Sequence, residues 1–214
     1  MDARDASLPP SLEHARVQGL PSAAYYIPDF ISEDEERLIL SKIAAAPKPR
    51  WKQLTHRRLQ TWPSDLVQDR LLDAPLPPWL EDPVVARLLS LPLSEGSYGH
   101  VFEQSPHARP NHVLINDKDD GALDPTPVWR ILQEPRSLLI TTESLYTDYL
   151  HGIADIDEDV DLSADGGVVN WGLLRSPDAY ADGRNVRGTR TSLTYRDVLK
   201  VSKVGNRLAM FAKR

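Results

Sequence analysis

At 214 residues, with 41% hydrophobic and 26% charged side chains, the chain is long enough for one domain with its own core. A formal charge of −6 excludes attraction of a polyanion by overall charge, so any nucleic-acid contact has to rest on a local basic patch. The lack of cysteine excludes disulfides, thiolate metal sites and cysteine nucleophiles. With no apolar run of about 18 residues and no secretory h-region, the expected protein has no membrane span and resides in the cytoplasm or nucleus.

Residues 1–20 contain Pro and Ser with little periodicity and are expected to form a flexible N-terminal segment, ahead of a single domain over 21–214. The aromatic run "AAYYIPDF" predicts a first strand. In "ISEDEERLILSKIAAAP", Ser32 stands three residues before Glu35, a capping box, and Pro47 supplies a stop. That helix carries Leu38, Ile39 and Ile43 as an apolar stripe, and its first turn, Glu33–Glu35, places negative charge where the helix dipole favours it.

"PKPRWKQLTHRRLQTWP" is the most basic stretch: Lys48, Arg50, Lys52, Arg57 and Arg58 occur without an acid, and Trp51 and Trp62 flank them. It is either a lid that holds phosphates and stacks on an extruded base, or a solvated basic turn whose tryptophans belong to the core. "APLPPWLEDPVVARLLSLP" reads as a bend and then a short helix, with Asp82 as N-cap, Pro83 in the first position and Val84, Val85, Leu88 and Leu89 buried. From residue 111 onward, "HVLIN", "VWRILQ", "SLLITT", "LYTDYLHGI" and "GTRTSLTYRDV" predict strands separated by Pro, Gly and Asp turns. The expected class is α+β, mainly β: a sandwich or barrel buttressed by N-terminal helices. The acidic "ADIDEDVDLSADGG" has Val160 where a calcium loop needs Gly and Gly166 where it needs Glu, so it reads as a solvated loop.

On a strand, Arg190, Ser192, Thr194 and Arg196 share one face, which calls for an anion or water. The two arginine backbones stand about 20 Å apart, so both side chains must lean inward to meet one small dicarboxylate. An exposed edge strand explains the same pattern. Leu145, Thr147, Tyr149 and His151 likewise share a face in a strand reading, with His151 either a metal ligand or a hydrogen-bonded structural histidine.

Taken together, "YYIPDFISEDEERLI", "APKPRWKQL", "RRLQTW", "LPPWL", "NHVLIN", "EPRSLLI", "YLHGI" and "VRGTRTSLTYR" resemble the AlkB family of Fe(II)/2-oxoglutarate dioxygenases, in particular its homologue 6 branch, over nearly the whole chain. The resemblance implies a double-stranded β-helix of the jelly-roll kind, with iron in a 2-His-1-carboxylate triad. It implies oxidative demethylation of N-alkylated DNA or RNA. His151 matches the distal iron ligand. Arg190 matches the arginine that grips the distal carboxylate of 2-oxoglutarate, Arg196 the second arginine nearer the metal end, and Asn116 the asparagine of the N-x-Y motif, which also touches the co-substrate.

The pattern then breaks. Asp117 and Lys118 follow Asn116 where the family has a tyrosine, a turn and the H-x-D that supplies two iron ligands. Residues two positions after His14, His56, His100, His107, His112 and His151 are Arg, Arg, Phe, Arg, Leu and Ile, so no H-x-D occurs anywhere. Only 35 positions separate Asn116 from His151, too few for the missing strands. A makeshift set of His112, Asp117, Asp119 and Asp120 is the substitute the sequence offers. The expectation is a double-stranded β-helix with several core strands missing, doubtful Fe(II) binding, no assigned catalytic residue, and loss of activity in this chain. The alternatives are a non-catalytic remnant that binds nucleic acid or a protein partner, and an unrelated β-sandwich module.

Overall fold

The structure is a computed structural model and describes residues 6, 8–54, 58–117, 127–153 and 156–202. It is mixed α/β with more strands than helices. No helix among the described residues is long and apolar enough to cross a membrane.

Strand β1 (Ala24–Ile27) pairs antiparallel with β6 (Leu138–Thr141), Tyr25 opposite Ile140 and Ile27 opposite Leu138. Alternation along β1 divides the core in two. Ile27 and Tyr25 face a cluster that includes Phe30, Leu80, Val85, Val113 and Ile115, whereas Ala24 and Tyr26 face one built from Val17, Leu132, Leu145, Leu162, Val168 and Leu174. Leu12, Ala15 and Val17 are buried, and Arg16 bridges to Tyr25. The latter part of the stretch assigned to a flexible N-terminal segment is therefore packed structure. Its apolar residues are spaced for a short 3-10 turn, Leu12–Ala15, rather than for a helix or strand.

Helix α1 (Glu33–Ala44) begins as expected: the Ser32 hydroxyl accepts from the Glu35 amide, and the Glu35 carboxylate accepts from the Ser32 amide at 2.7 Å. Glu35 also takes Arg87 through both carboxylate oxygens, and these bonds hold its carboxyl below the usual carboxylate range. Of the apolar stripe, Ile39 and Ile43 are buried while Leu38 is 49% exposed; the helix meets the core over a narrower arc than the stripe offered. Its C-terminal carbonyl of Ile43 accepts from buried Gln60, whose own Oε1 accepts from the Trp62 indole.

Strand β2 (Lys52–Gln53), β3 (Arg58–Trp62), β5 (His112–Asp117) and β9 (Thr191–Arg196) form the largest sheet among the described residues, in the order β2-β3-β5-β9 and antiparallel throughout. Small ribbons join β4 (Leu71–Leu72) to β10 (Val201–Ser202), and β7 (Glu158–Asp159) to β8 (Asn185–Val186). Helices α2 (Pro78–Leu80) and α3 (Ala86–Ser90) flank a wide turn, Glu81–Val85, in which Asp82 is extended. Asp82 thus has the extended backbone of an N-cap, with Pro83 following it, and Val84, Val85 and Leu88 are buried while Leu89 is half-buried.

Two expected strands take other forms. In "VWRILQ" only Arg130 makes a bridge, to Val168. The Leu132 amide and carbonyl are instead satisfied by the two ends of the buried Asn170 side chain, at 2.9 and 2.7 Å, so no neighbouring strand is needed. "LYTDYLHGI" begins in helix α4 (Glu143–Thr147), which sends Leu145 into the second core cluster and leaves Tyr146, Tyr149 and Leu150 exposed. A single buried position satisfies a helical turn as well as a strand, so the alternation was no guide. In the acidic stretch, β7 pairs with β8 and Arg187 binds Asp159, while Arg130 donates to the Val160 and Asp161 carbonyls.

Candidate functional site

The central sheet has two chemically different faces because side chains alternate along each strand. Val113 and Ile115 of β5 are wholly buried in the first core cluster, and Leu193 and Tyr195 of β9 pack against it. His112, Leu114 and Asn116 belong to the other side of β5. Their partners across the ladder are Arg196, Thr194 and Ser192 on β9, and Thr61 and Leu59 on β3 pair with Leu114 and Asn116. This second face collects polar and cationic side chains on a backbone whose reverse is held by the core.

Asn116, Arg190 and Arg196 are brought toward this face. Asn116 lies opposite Ser192. Arg190 stands one residue before β9, half-buried, and donates from Nη2 to Gln133 Oε1 at 2.7 Å. Arg196 closes β9 and donates from Nε to His112 Nδ1 at 3.3 Å. The His112 ring is wholly buried, and its Nε2 has no partner of hydrogen-bonding geometry among the described residues. Burial and the Arg196 charge lower its pKa to about 4, against the opposing pull of Asp65 and the Ser64 backbone, so the ring is neutral at physiological pH. Alternation along β5 places His112 on this face with Leu114 and Asn116, but nothing in the sequence disclosed its tie to Arg196. Gln133 carried no sequence signal.

The basic stretch is largely engaged within the fold. Arg50 lies 4.0 Å over the Trp62 ring and donates to the Thr61 and Pro63 carbonyls. Arg58 lies 4.3 Å over Trp51. Lys52 pairs with Asp65 at 2.8 Å, which holds that carboxyl below its ordinary range, and Thr61 bonds Asp65 as well. Lys48 is exposed in a 3-10 turn, Lys48–Arg50. Both tryptophans pack at the edge of the first core cluster, and Trp62 meets Trp79 edge-on. Each therefore has a guanidinium on one ring face and core contacts besides, an arrangement suited to structural anchors rather than to a free stacking platform. Arg57 lies outside the described residues.

Iron fits these residues poorly. His151 is exposed in the irregular stretch beyond α4 rather than at a strand end. His112 Nδ1 is committed to Arg196, and Asp119 and Asp120 lie outside the described residues. Among the described residues no three His, Asp or Glu side chains stand together as a metal site. A 2-His-1-carboxylate centre needs a positioned set of ligands with supporting hydrogen bonds, and the described residues do not bring one together. An anion fits better: Arg196, the Asn116 amide and the hydroxyl residues Ser192 and Thr194 lie along one sheet face, and Arg190 stands just ahead of β9.

No family model matches the chain. The probable RNA/DNA demethylase ALKBH6 of zebrafish (Danio rerio) is 33% identical over 232 aligned positions, covering 89% of this chain and 92% of that protein.

Proposed function

Because the chain belongs to the AlkB-like family, we propose that it retains the co-substrate half of a 2-oxoglutarate-dependent nucleic-acid demethylase and lacks the iron half. It then binds 2-oxoglutarate and does not turn it over. The observation that carries this reading is the β5–β9 ladder, which sets Asn116 opposite Ser192 and His112 opposite Arg196, with Arg190 just ahead of the strand. Of these, Asn116, Arg190 and Arg196 are the positions that the resemblance assigns to co-substrate binding. In this reading Arg190 grips the distal carboxylate by its guanidinium fork, Asn116 donates its amide to the ligand, and Arg196 holds the metal-end carboxylate. His151 would be the remaining iron ligand and, exposed as it is, holds Fe(II) weakly.

The missing half is a segment lost at the Asn116–Lys118 junction. The similarity to the zebrafish protein runs over 232 positions, more than the 214 residues of this chain, so that protein has residues without a counterpart here. Strand β9 supports the same view, since among the described residues β5 is its one neighbour in the ladder. A six-residue strand left at a sheet edge is what removal of an adjoining strand would leave. Alkylated DNA or RNA remains the substrate class for the complete site, with exposed Lys48 the basic side chain best placed for phosphates.

Titration of the purified chain with 2-oxoglutarate in the presence of a chelator tests the proposal. Metal-independent binding is expected, and Arg190→Gln should weaken it by about tenfold or more. No binding by the native chain, or equal binding by the variant, would overturn it.

A further inference from the structure

Arg196 is held in an unusual way for an arginine at a ligand face. Across the ladder it meets His112, and its Nε–H donates to the imidazole Nδ1. The backbone at this strand end is clamped as well. The Asn111 amide donates to the Arg196 carbonyl at 3.1 Å. The Asn111 side chain binds Asp197 and both donates to and accepts from Val198. The Asp197 carboxylate is taken up by Asn111 and by His107.

A guanidinium only donates, so Nδ1 must carry the lone pair and the ring proton sits on Nε2. Arginine meets a carboxylate side-on through Nε and Nη2 or end-on through Nη1 and Nη2. With Nε given to His112, the end-on fork is what Arg196 has to offer. The chemistry of the partner matters too. A carboxylate in the place of His112 would neutralise the arginine, whereas a neutral imidazole fixes it and leaves its whole charge for a ligand. No carboxylate pairs with Arg196 among the described residues.

We propose that His112 is a positioning residue, which anchors Arg196 through Nε so that the guanidinium receives the co-substrate carboxylate end-on through its two Nη groups. The proposal rests on the reading above that Arg196 faces 2-oxoglutarate. Its prediction for the free protein does not: at pH 7 the buried ring is the Nε2–H tautomer, and the Arg196 Nε–H is protected from exchange.

The test combines nitrogen NMR with binding. In the native chain, the His112 ring nitrogens should report an unprotonated Nδ1 and a protonated Nε2. His112→Asn keeps an acceptor near the Nδ1 position and His112→Leu removes it. Exchange of the Arg196 Nε–H should stay slow in the Asn variant and become fast in the Leu variant. Titrated with 2-oxoglutarate under chelation, His112→Leu should bind about tenfold more weakly and His112→Asn within about threefold of native. A protonated Nδ1, or unchanged exchange and affinity in His112→Leu, overturns the proposal. If the native chain binds no 2-oxoglutarate, the co-substrate reading fails, while tautomer and exchange still decide whether His112 anchors Arg196. Should the Leu variant not fold, the tautomer in the native chain and the behaviour of the Asn variant decide it.

Discussion

Replacing His112 by Asn should flatten the acid limb of the stability curve. The native ring is wholly buried and has a pKa of about 4, against about 6.5 for an unfolded histidine. Between these two values the unfolded chain binds a proton that the native state refuses, so stability falls as pH falls. The contribution is complete above pH 6.5 and gone below pH 4. A gap of roughly 2.5 pH units at 1.36 kcal/mol each is about 3 kcal/mol, an order-of-magnitude figure. The charged groups facing the ring are Arg196, which disfavours its protonation, and Asp65, which favours it. Urea unfolding of native and His112→Asn chains at pH 7, 6, 5 and 4.5 measures the effect. The native chain should lose more stability across this range than the variant, by about 2 kcal/mol at pH 4.5. Carboxylates such as Glu35, whose pKa is lowered by Arg87, lose their contribution at lower pH and in both chains alike, so the difference isolates His112. Parallel pH profiles would refute the reasoning.

Ser32→Ala removes one arm of the capping box while leaving the Glu35–Arg87 pair in place, and should cost about 1 kcal/mol by chemical denaturation. The same substitution at exposed Ser90, outside the cap, serves as the control. Ile115→Ala empties a fully buried position in the centre of the main sheet and should cost about 2–5 kcal/mol in the same assay, enough to consume much of the stability of a domain this size. Long-read sequencing of transcripts across the Asn116–Lys118 codons should recover a longer coding form that includes an H-x-D. Reads that support only the direct join would contradict the missing-segment account.

How much the sequence disclosed varied with the locality of the signal. The capping box at Ser32 and Glu35 and the strand "HVLIN" depend on neighbouring residues, and both stand as expected. Alternation set Asn116 with His112 on one side of β5 and Arg190 with Arg196 on one side of β9, but that these sides form one face is a matter of long-range register that the residues do not state. "VWRILQ" failed as a strand because Asn170, some forty residues away in the chain, satisfies Leu132 in place of a ladder. "LYTDYLHGI" failed because its alternating pattern also suits one helical turn around Leu145. The basic stretch was legible as charge; that Arg50 and Lys52 spend theirs on Trp62 and Asp65 required the fold.

The most direct measurement is succinate formation by the purified chain supplied with Fe(II), 2-oxoglutarate, oxygen and an N-methylated oligonucleotide, alongside a form lengthened after Asn116 by a segment that carries an H-x-D. The account predicts no succinate above the metal-free control for the present chain and Fe(II)-dependent succinate for the extended one. Fe(II)-dependent succinate from the present chain would contradict it.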